Sequence, residues 1–267
     1  MWIDAHVHLQ DARLAGKLSE YADSARRAGV ACLCSAGTSP ADWERLASLT
    51  ETFPIRILPS FGVHPWDAVG LSRDWFDQLE FILSRFPEAS IGEIGLDGLR
   101  EVPEEIQLPV FRAQLDLAVR LGRPVVLHGA RSWGSLYEEL RSRADQLPGI
   151  LLHGFSASKE MAERFLALGA VFSFGGLLCN ENATRCRESA MRLPLDRITI
   201  ETDSPDCFPN GGTRFPGEGE DSKLNHSGNL LAVATALSTL RNIPLDEIAQ
   251  TTRETTLRLF GAGERKG

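Results

Sequence analysis

The sequence predicts a (β/α)8 barrel, a single domain spanning residues 1–267. Three observations lead there. Short β-rich apolar runs alternate with longer amphipathic stretches, the pattern of parallel strands covered on their faces by helices. Eight such strand–helix pairs can be traced, the number that closes a barrel, and 267 residues match the about 250 that such a barrel needs. No Gly-rich phosphate or dinucleotide fingerprint follows the first strand, which argues against an open doubly wound sheet.

In order, the first strand covers Trp2 to His8. Leu14, Leu18, Tyr21, Ala22, Ala25 and Ala28 then share a helical face that Gly29 stops. Val30 to Ala36 reads as strand and Pro40 to Phe53 as helix. Ile55 to Val63 is the third strand, and Ser72 to Phe86 a helix closed by Pro87. Ala89 to Gly95 is the fourth strand, followed by a long helix from Pro103 to Leu121 with Gly122 after it. Pro124 to His128 is strand and Trp133 to Asp145 helix. Gly149 to His153 is strand, and Ser158 to Leu168 is helix, stopped by Gly169. Ala170 to Phe174 is strand and Asn182 to Arg192 helix. Arg197 to Asp203 is the eighth strand, with helices at Ser227 to Leu240 and Leu245 to Phe260. Between them Pro205 to Leu224 is rich in Gly, Pro and charge. A loop of that length inside a domain points to function, and after the eighth strand it lies over the barrel mouth.

The net charge of −8 and pI near 5.3 exclude a protein that grips nucleic acid through a basic surface. A nucleic-acid substrate then requires positive charge in the site itself, which bound divalent metals supply. Cys32, Cys34, Cys179, Cys186 and Cys207 are odd in number and match no disulfide framework, so they read as buried, reduced thiols. The opening Met-Trp-Ile-Asp-Ala-His is too polar for a signal peptide, and no apolar run approaches the about 18 residues of a membrane span. The expectation is a soluble, cytoplasmic protein with no membrane association and no evident obligate protein partner.

Five of the six histidines fall at strand ends: His6 and His8 on the first, His64 on the third, His128 on the fifth and His153 on the sixth. Glu93 lies in the fourth strand between glycines, and Asp203 ends the eighth. In a barrel these C-terminal ends converge on one face. Residues i and i+2 of a strand face the same way, so His6 and His8 project inward together while Val7 points outward. A Glu in an apolar strand is costly without a partner. His6, His8, Glu93, His128, His153 and Asp203 therefore read as a metal site. Glu93 bridges two ions, His6, His8 and Asp203 hold the first, and His128 and His153 complete the second. Imidazole with carboxylate suits Zn, Mn, Fe or Co; carboxylate and water suit Mg. His64, followed by Pro65 and Trp66, heads a turn and reads as a substrate-binding, phosphate-contacting group or a support for the ligands. His226, after the long loop, is expected at the surface. Trp66, Trp75 and Trp133 can stack on bases, though helical packing is the expected use of the last two. Asp67, Asp97 and Arg131 also lie near strand ends, where substrate would pass.

Taken together, Ile3-Asp4-Ala5-His6-Val7-His8, Gly62-Val63-His64-Pro65, Gly92-Glu93-Ile94-Gly95-Leu96-Asp97, Val126-Leu127-His128, Leu152-His153-Gly154-Phe155-Ser156 and Glu201-Thr202-Asp203-Ser204-Pro205 resemble, in family order, the TatD family of metal-dependent deoxyribonucleases. The resemblance spans nearly the whole chain. It implies a TIM barrel of the amidohydrolase type and Mg-, Mn- or Zn-dependent hydrolysis of phosphodiesters, often as a 3′-to-5′ exonuclease on DNA. Some members are similar to D-aminoacyl-tRNA deacylases. Three positions depart from the family pattern: Gly98 after Gly-Leu-Asp, Arg131 displaced by one in His128-Gly129-Ala130-Arg131, and Leu224-Asn225-His226-Ser227 after the long loop. None is a metal ligand; they bear on substrate recognition.

The mechanism expected from these residues is hydrolysis at two metals sharing Glu93 and a bridging hydroxide. Asp203 holds the first metal and takes or passes the proton, so Asp203 and Glu93 are the catalytic pair. A second reading turns the same site on a carbon centre, opening an amide, a lactone or an aminoacyl ester. A third keeps the site in a metal-dependent scaffold without turnover; the full ligand set argues against it.

Overall fold

The computed structural model describes residues 1–219 and 221–261. Its strands are β1 (Trp2–Val7), β2 (Val30–Ala36), β3 (Arg56–Phe61), β4 (Ser90–Asp97), β5 (Val125–Ala130), β6 (Ile150–Leu152), β7 (Val171–Phe174) and β8 (Ile198–Ile200). They pair in sequence order, every neighbouring pair parallel. β8 returns to β1 beyond their formal ends: Asp203 N donates to His6 O at 3.0 Å and His8 N donates to Ser204 O at 2.7 Å. The sheet is thus the predicted α/β barrel, closed at the end where the ionisable residues lie. Residues 262–267 of the expected domain, and Glu220 of the loop after β8, lie outside the described residues.

The helices between strands are α1 (Leu18–Arg27), α2 (Pro40–Thr52), α3 (Trp75–Arg85), α4 (Glu104–Leu121), α5 (Trp133–Leu140), α6 (Lys159–Ala167) and α7 (Thr184–Arg192); α8 (Leu230–Arg241) and α9 (Leu245–Leu259) follow β8. Two apolar layers hold them. Outward strand residues such as Val7, Leu33, Ile57, Leu127 and Leu152 pack against helix residues such as Tyr21, Leu46, Leu79 and Leu136 in the larger core. Burying each such side chain contributes about 1.5–3 kcal/mol. Inward residues Ile3, Cys32, Cys34, Leu58, Val126, Leu151 and Val171 form a second cluster, with Leu259 and Phe260 from the end of α9. That cluster fills the barrel beneath the polar site. Ile3 and His6 both face inward because the β1–β2 register shifts between Asp4 and Val7, a bulge that re-aims a side chain.

Element ends differ from the periodic reading for local reasons. β8 stops at Ile200 rather than Asp203, because Asp203 turns into the left-handed region with φ 53°. β5 runs past His128 to Ala130, because Gly95 to Asp97 of β4 continue the ladder beside it. The first helix begins at Leu18, since Gly16 at φ 75° separates it from a single 3-10 turn at Ala12–Leu14. The cysteines also differ from the expectation of five buried thiols. Cys32, Cys34 and Cys186 are buried, but Cys179 is half-buried at the end of a short 3-10 helix after β7 and Cys207 is exposed in the loop after β8. Among the described residues no helix is long and apolar enough to cross a membrane.

Candidate metal centre

Glu93 lies at the centre of the site, and its two glycines explain how it gets there. A side chain on Gly92 would meet Val126 Cβ at 2.6 Å; one on Gly95, at φ 148°, would meet the His128 carbonyl oxygen at 2.1 Å. Only glycine lets β4 lie this close to β5. Glu93 is thereby held buried among imidazoles from four other parts of the barrel.

Its two oxygens face different partners. Oε2 lies 3.1 Å from His6 Nε2 and 3.3 Å from His8 Nε2. Oε1 lies 2.9 Å from His128 Nδ1, 2.7 Å from His153 Nε2 and 3.2 Å from His64 Nε2. Asp203 Oδ1 reaches the first group, 3.8 Å from His6 Nε2 and 3.6 Å from His8 Nε2. Within the groups, the nitrogens of His6 and His8 are 3.2 Å apart, as are those of His128 and His153. His6, His8 and Asp203 can hold one metal ion; His6, Glu93 and His153, or His64, Glu93 and His128, are further sets of suitable reach.

The outer nitrogens decide which imidazoles suit a metal. His8 Nδ1 donates to Ala36 O at 2.8 Å and His128 Nε2 donates to Asp97 Oδ2 at 3.0 Å. When neutral, each therefore turns an unprotonated nitrogen toward Glu93. A lone pair facing a carboxylate oxygen at about 3 Å is repulsive unless a cation or a shared proton lies between. The donor set thus fits divalent ions. His64 is the reverse. Its Nδ1 accepts from Trp66 N at 3.2 Å, so when neutral its proton sits on Nε2 and is donated to Glu93. We therefore read His64 as a donor to Glu93 and not as a ligand, although its distance alone would admit either.

Charge follows the same division. Burial alone would raise the Glu93 carboxyl, but His153, His64 and His6 hold it well below its ordinary range. Asp203 is likewise depressed, burial being outweighed by His8, His153 and His6. Against burial, the carboxylates Asp203 and Glu93 raise His8, and Glu93 with Glu201 raises His153. Burial keeps His64 neutral, pushing it down to about 4. Two fixed, largely buried anions call for positive charge.

Comparison with known proteins agrees with this geometry. The family described as TatD related DNase matches residues 3–261. The chain belongs to the TatD family. A TatD-family relative, the uncharacterized metal-dependent hydrolase YjjV of Escherichia coli K12, is 32% identical over 262 residues, 97% of each protein. The crystal structure of YjjV superposes with a TM-score of 0.88 over 97% of this chain and 98% of that one. The 3′–5′ ssDNA/RNA exonuclease TatD of Edwardsiella piscicida is 27% identical over 260 residues, 97% of this chain and 98% of its own. The chain is an enzyme, a metal-dependent hydrolase of the TatD type.

The mouth of this TatD-family site is a pocket of about 490 Å³ that takes in His8, His64, Glu93, His128, His153 and Asp203. Asp67 and Asp97 also line it, whereas Arg131 does not. Arg13 is the lining cation, gripped by Asp11 and Asp206, with Nη2 2.7 and 2.6 Å from their Oδ2 atoms. Cys207 Sγ donates to Asp203 Oδ2 at 3.1 Å, and that carboxylate pushes the thiol up, so it stays protonated. Trp75 is half-buried against the core and Trp133 buried in it, while Trp66 is exposed at the mouth.

Two residues alter the sequence reading. His226, expected at the surface, is buried, because Ser24, Thr213 and Gly228 close around its ring. Glu201 was not singled out, yet it is fully buried with Oε1 accepting from Gly154 N at 2.6 Å and lying 3.6 Å from His153 Nδ1. That nitrogen and Glu201 Oε2 have no hydrogen-bond partner. The sequence signal is the same as at Glu93: a Glu following an apolar strand is costly to bury without a partner.

Proposed function

We propose that this enzyme hydrolyses phosphodiesters, most specifically as a 3′–5′ exonuclease on DNA, using two divalent ions. His6, His8 and Asp203 with Glu93 Oε2 would hold one, and His128 and His153 with Glu93 Oε1 the other; Mg, Mn or Zn suits the set. The observation that carries the reading is the split of Glu93, one oxygen toward each imidazole group. Such ions supply Lewis acidity, acidifying water and neutralising phosphoryl charge. The exonuclease name of the Edwardsiella relative supports the substrate.

The chain's own groups do the rest. Asp203 remains ionised at the edge of the pocket, so its carboxylate accepts the proton released as water attacks. His64 Nε2–H donates within the same pocket, to Glu93 in this structure and to a phosphoryl oxygen when substrate enters. The apolar cluster beneath, around Val126 and Leu151, keeps bulk water from the buried side. A strand of DNA meets a mouth bearing Asp11, Asp67, Asp97 and Asp206, with Arg13 already paired. Binding therefore depends on ions in the site.

The test uses metal-stripped protein and a 3′-labelled single-stranded oligonucleotide, with Mg, Mn or Zn restored and Glu93→Ala as control. Release of the labelled 3′ nucleotide, dependent on metal and absent in the control, is the expected result. One alternative is a carbon ester such as that of D-aminoacyl-tRNA, whose reacting bond, unlike a phosphodiester, brings no charge into the acidic mouth. No DNA cleavage by metal-loaded protein, together with release of the amino acid, would replace the first reading with that one.

A further inference from the structure

Trp66 stands at the rim of the metal pocket without belonging to the ligand set. It is 46% exposed despite its size. Its Nε1–H donates to Asp97 Oδ2 at 2.6 Å, and the same oxygen accepts from His128 Nε2 at 3.0 Å. Asp97 thus fixes the indole and a metal-facing imidazole at once. With its N–H satisfied, the ring has only its π face to offer, and that face recognises flat aromatic or cationic groups. Arg100 already lies over it, Cζ 3.9 Å from the ring centroid. A groove of about 650 Å³ runs along Trp66, Val69, Leu99, Arg100, Glu101 and Val102. Trp66 and Leu99 line the metal pocket as well, so groove and pocket are continuous.

We propose that Trp66 and Arg100 form a base-stacking subsite beside the metal centre. The base of the strand's terminal nucleotide replaces the Arg100 guanidinium on the indole, and the exposed Arg100 turns to the adjoining phosphate. The proposal rests on the phosphodiester reading for the strand, not for the aromatic ligand. It makes Trp66 a specificity residue: the enzyme senses whether a base is present, not which one, because every base has a π face.

Two measurements test it. In the first, kcat/KM is compared for oligonucleotides with an intact and an abasic 3′-terminal residue. Stacking of about 1–3 kcal/mol predicts a roughly 5- to 150-fold preference for the intact end. Trp66→Ala brings the ratio toward one and Trp66→Phe retains most of it. In the second, deoxyadenosine monophosphate titrated into the metal-loaded enzyme quenches tryptophan fluorescence, deoxyribose 5-phosphate does not, and Trp66→Phe removes the quenched component. Equal rates on both ends, or a preference undiminished in Trp66→Ala, would overturn the proposal. If no oligonucleotide is cut, the phosphodiester reading falls and the titration decides alone: saturable quenching lost in Trp66→Phe supports the subsite, and its absence removes it.

Discussion

Two of the inward-facing imidazoles in the centre are held by a hydrogen bond behind the ring. Ala36 O holds His8 and Asp97 holds His128, but His153 has only Glu201, at 3.6 Å. Such backing groups fix the ring and raise its basicity toward a metal. Glu201→Gln keeps the shape and removes the charge behind His153. Its expected effect is an about 10–100-fold loss of metal affinity, read by calorimetric titration of Zn or Mn into stripped protein. An unchanged affinity would leave Glu201 as no more than a partner for Gly154 N. Asp203 is tested by its isostere. Asp203→Asn should fold normally and lose about 10²–10⁴-fold in kcat, the usual contribution of a general acid or base; near-normal turnover by the loaded variant would remove it from the proton path. The contrast between these acids shows what sequence made legible. Asp203 and Glu93 stood out beside histidines at matching strand ends. Glu201 lies two residues before Asp203, and its partners His153 and Gly154 come from another strand, so a pattern read along the chain passes over it. His64 was visible as a site residue, but its tautomer depends on the Trp66 amide, which only folding brings to Nδ1.

Strands and helices were readable where one periodicity ran unbroken, as in α4 and α9. They were misread where a backbone angle overrode it, at Gly16 and Asp203. The loop after β8 was the hardest element, because it is ordered by distant groups. His226 Nε2–H donates to Thr213 O at 3.0 Å, and Nδ1 accepts from Gly228 N at 3.1 Å and lies 2.7 Å from Ser24 Oγ. One neutral ring therefore ties α1, the loop and the start of α8. Its surface placement was the natural reading of a polar residue after a loop, and only Ser24, far back in the chain, reveals otherwise. Burial, reinforced by Arg27, lowers the pKa of His226. A lowered folded-state value means that the unfolded chain binds the proton more tightly. The contribution of the neutral ring is then complete above the ordinary value of about 6.5 and is lost as pH falls through the folded value. His226→Gln should be less stable near neutrality, yet the gap from the parent should narrow between pH 7.5 and pH 5 in urea melts. A gap that widens on acidification would reverse the sign and refute the neutral, accepting Nδ1.

Across the whole molecule, the centre gathers side chains from β1, β4 and β5 and from just beyond β6 and β8. The same region carries the closing contacts between β1 and β8, where Asp203 N meets His6 O. An ion bound there cross-links the barrel at its seam and offsets the charges of Glu93 and Asp203. Since the unfolded chain cannot assemble that set, binding free energy becomes folding free energy. At a free metal concentration 1,000 times Kd the linkage amounts to about 4 kcal/mol. For a chain of this size that corresponds to a fall of roughly 10 °C in Tm when the metal is removed. A thermal melt before and after chelation measures it, and Glu93→Ala serves as the control whose Tm should respond weakly, its central carboxylate being gone. An equal response in the variant would place the stabilising ion elsewhere. A parent enzyme indifferent to chelation, yet still active when metal is restored, would mean that the barrel is held at its seam by backbone and packing alone. The ions would then serve chemistry without serving the fold.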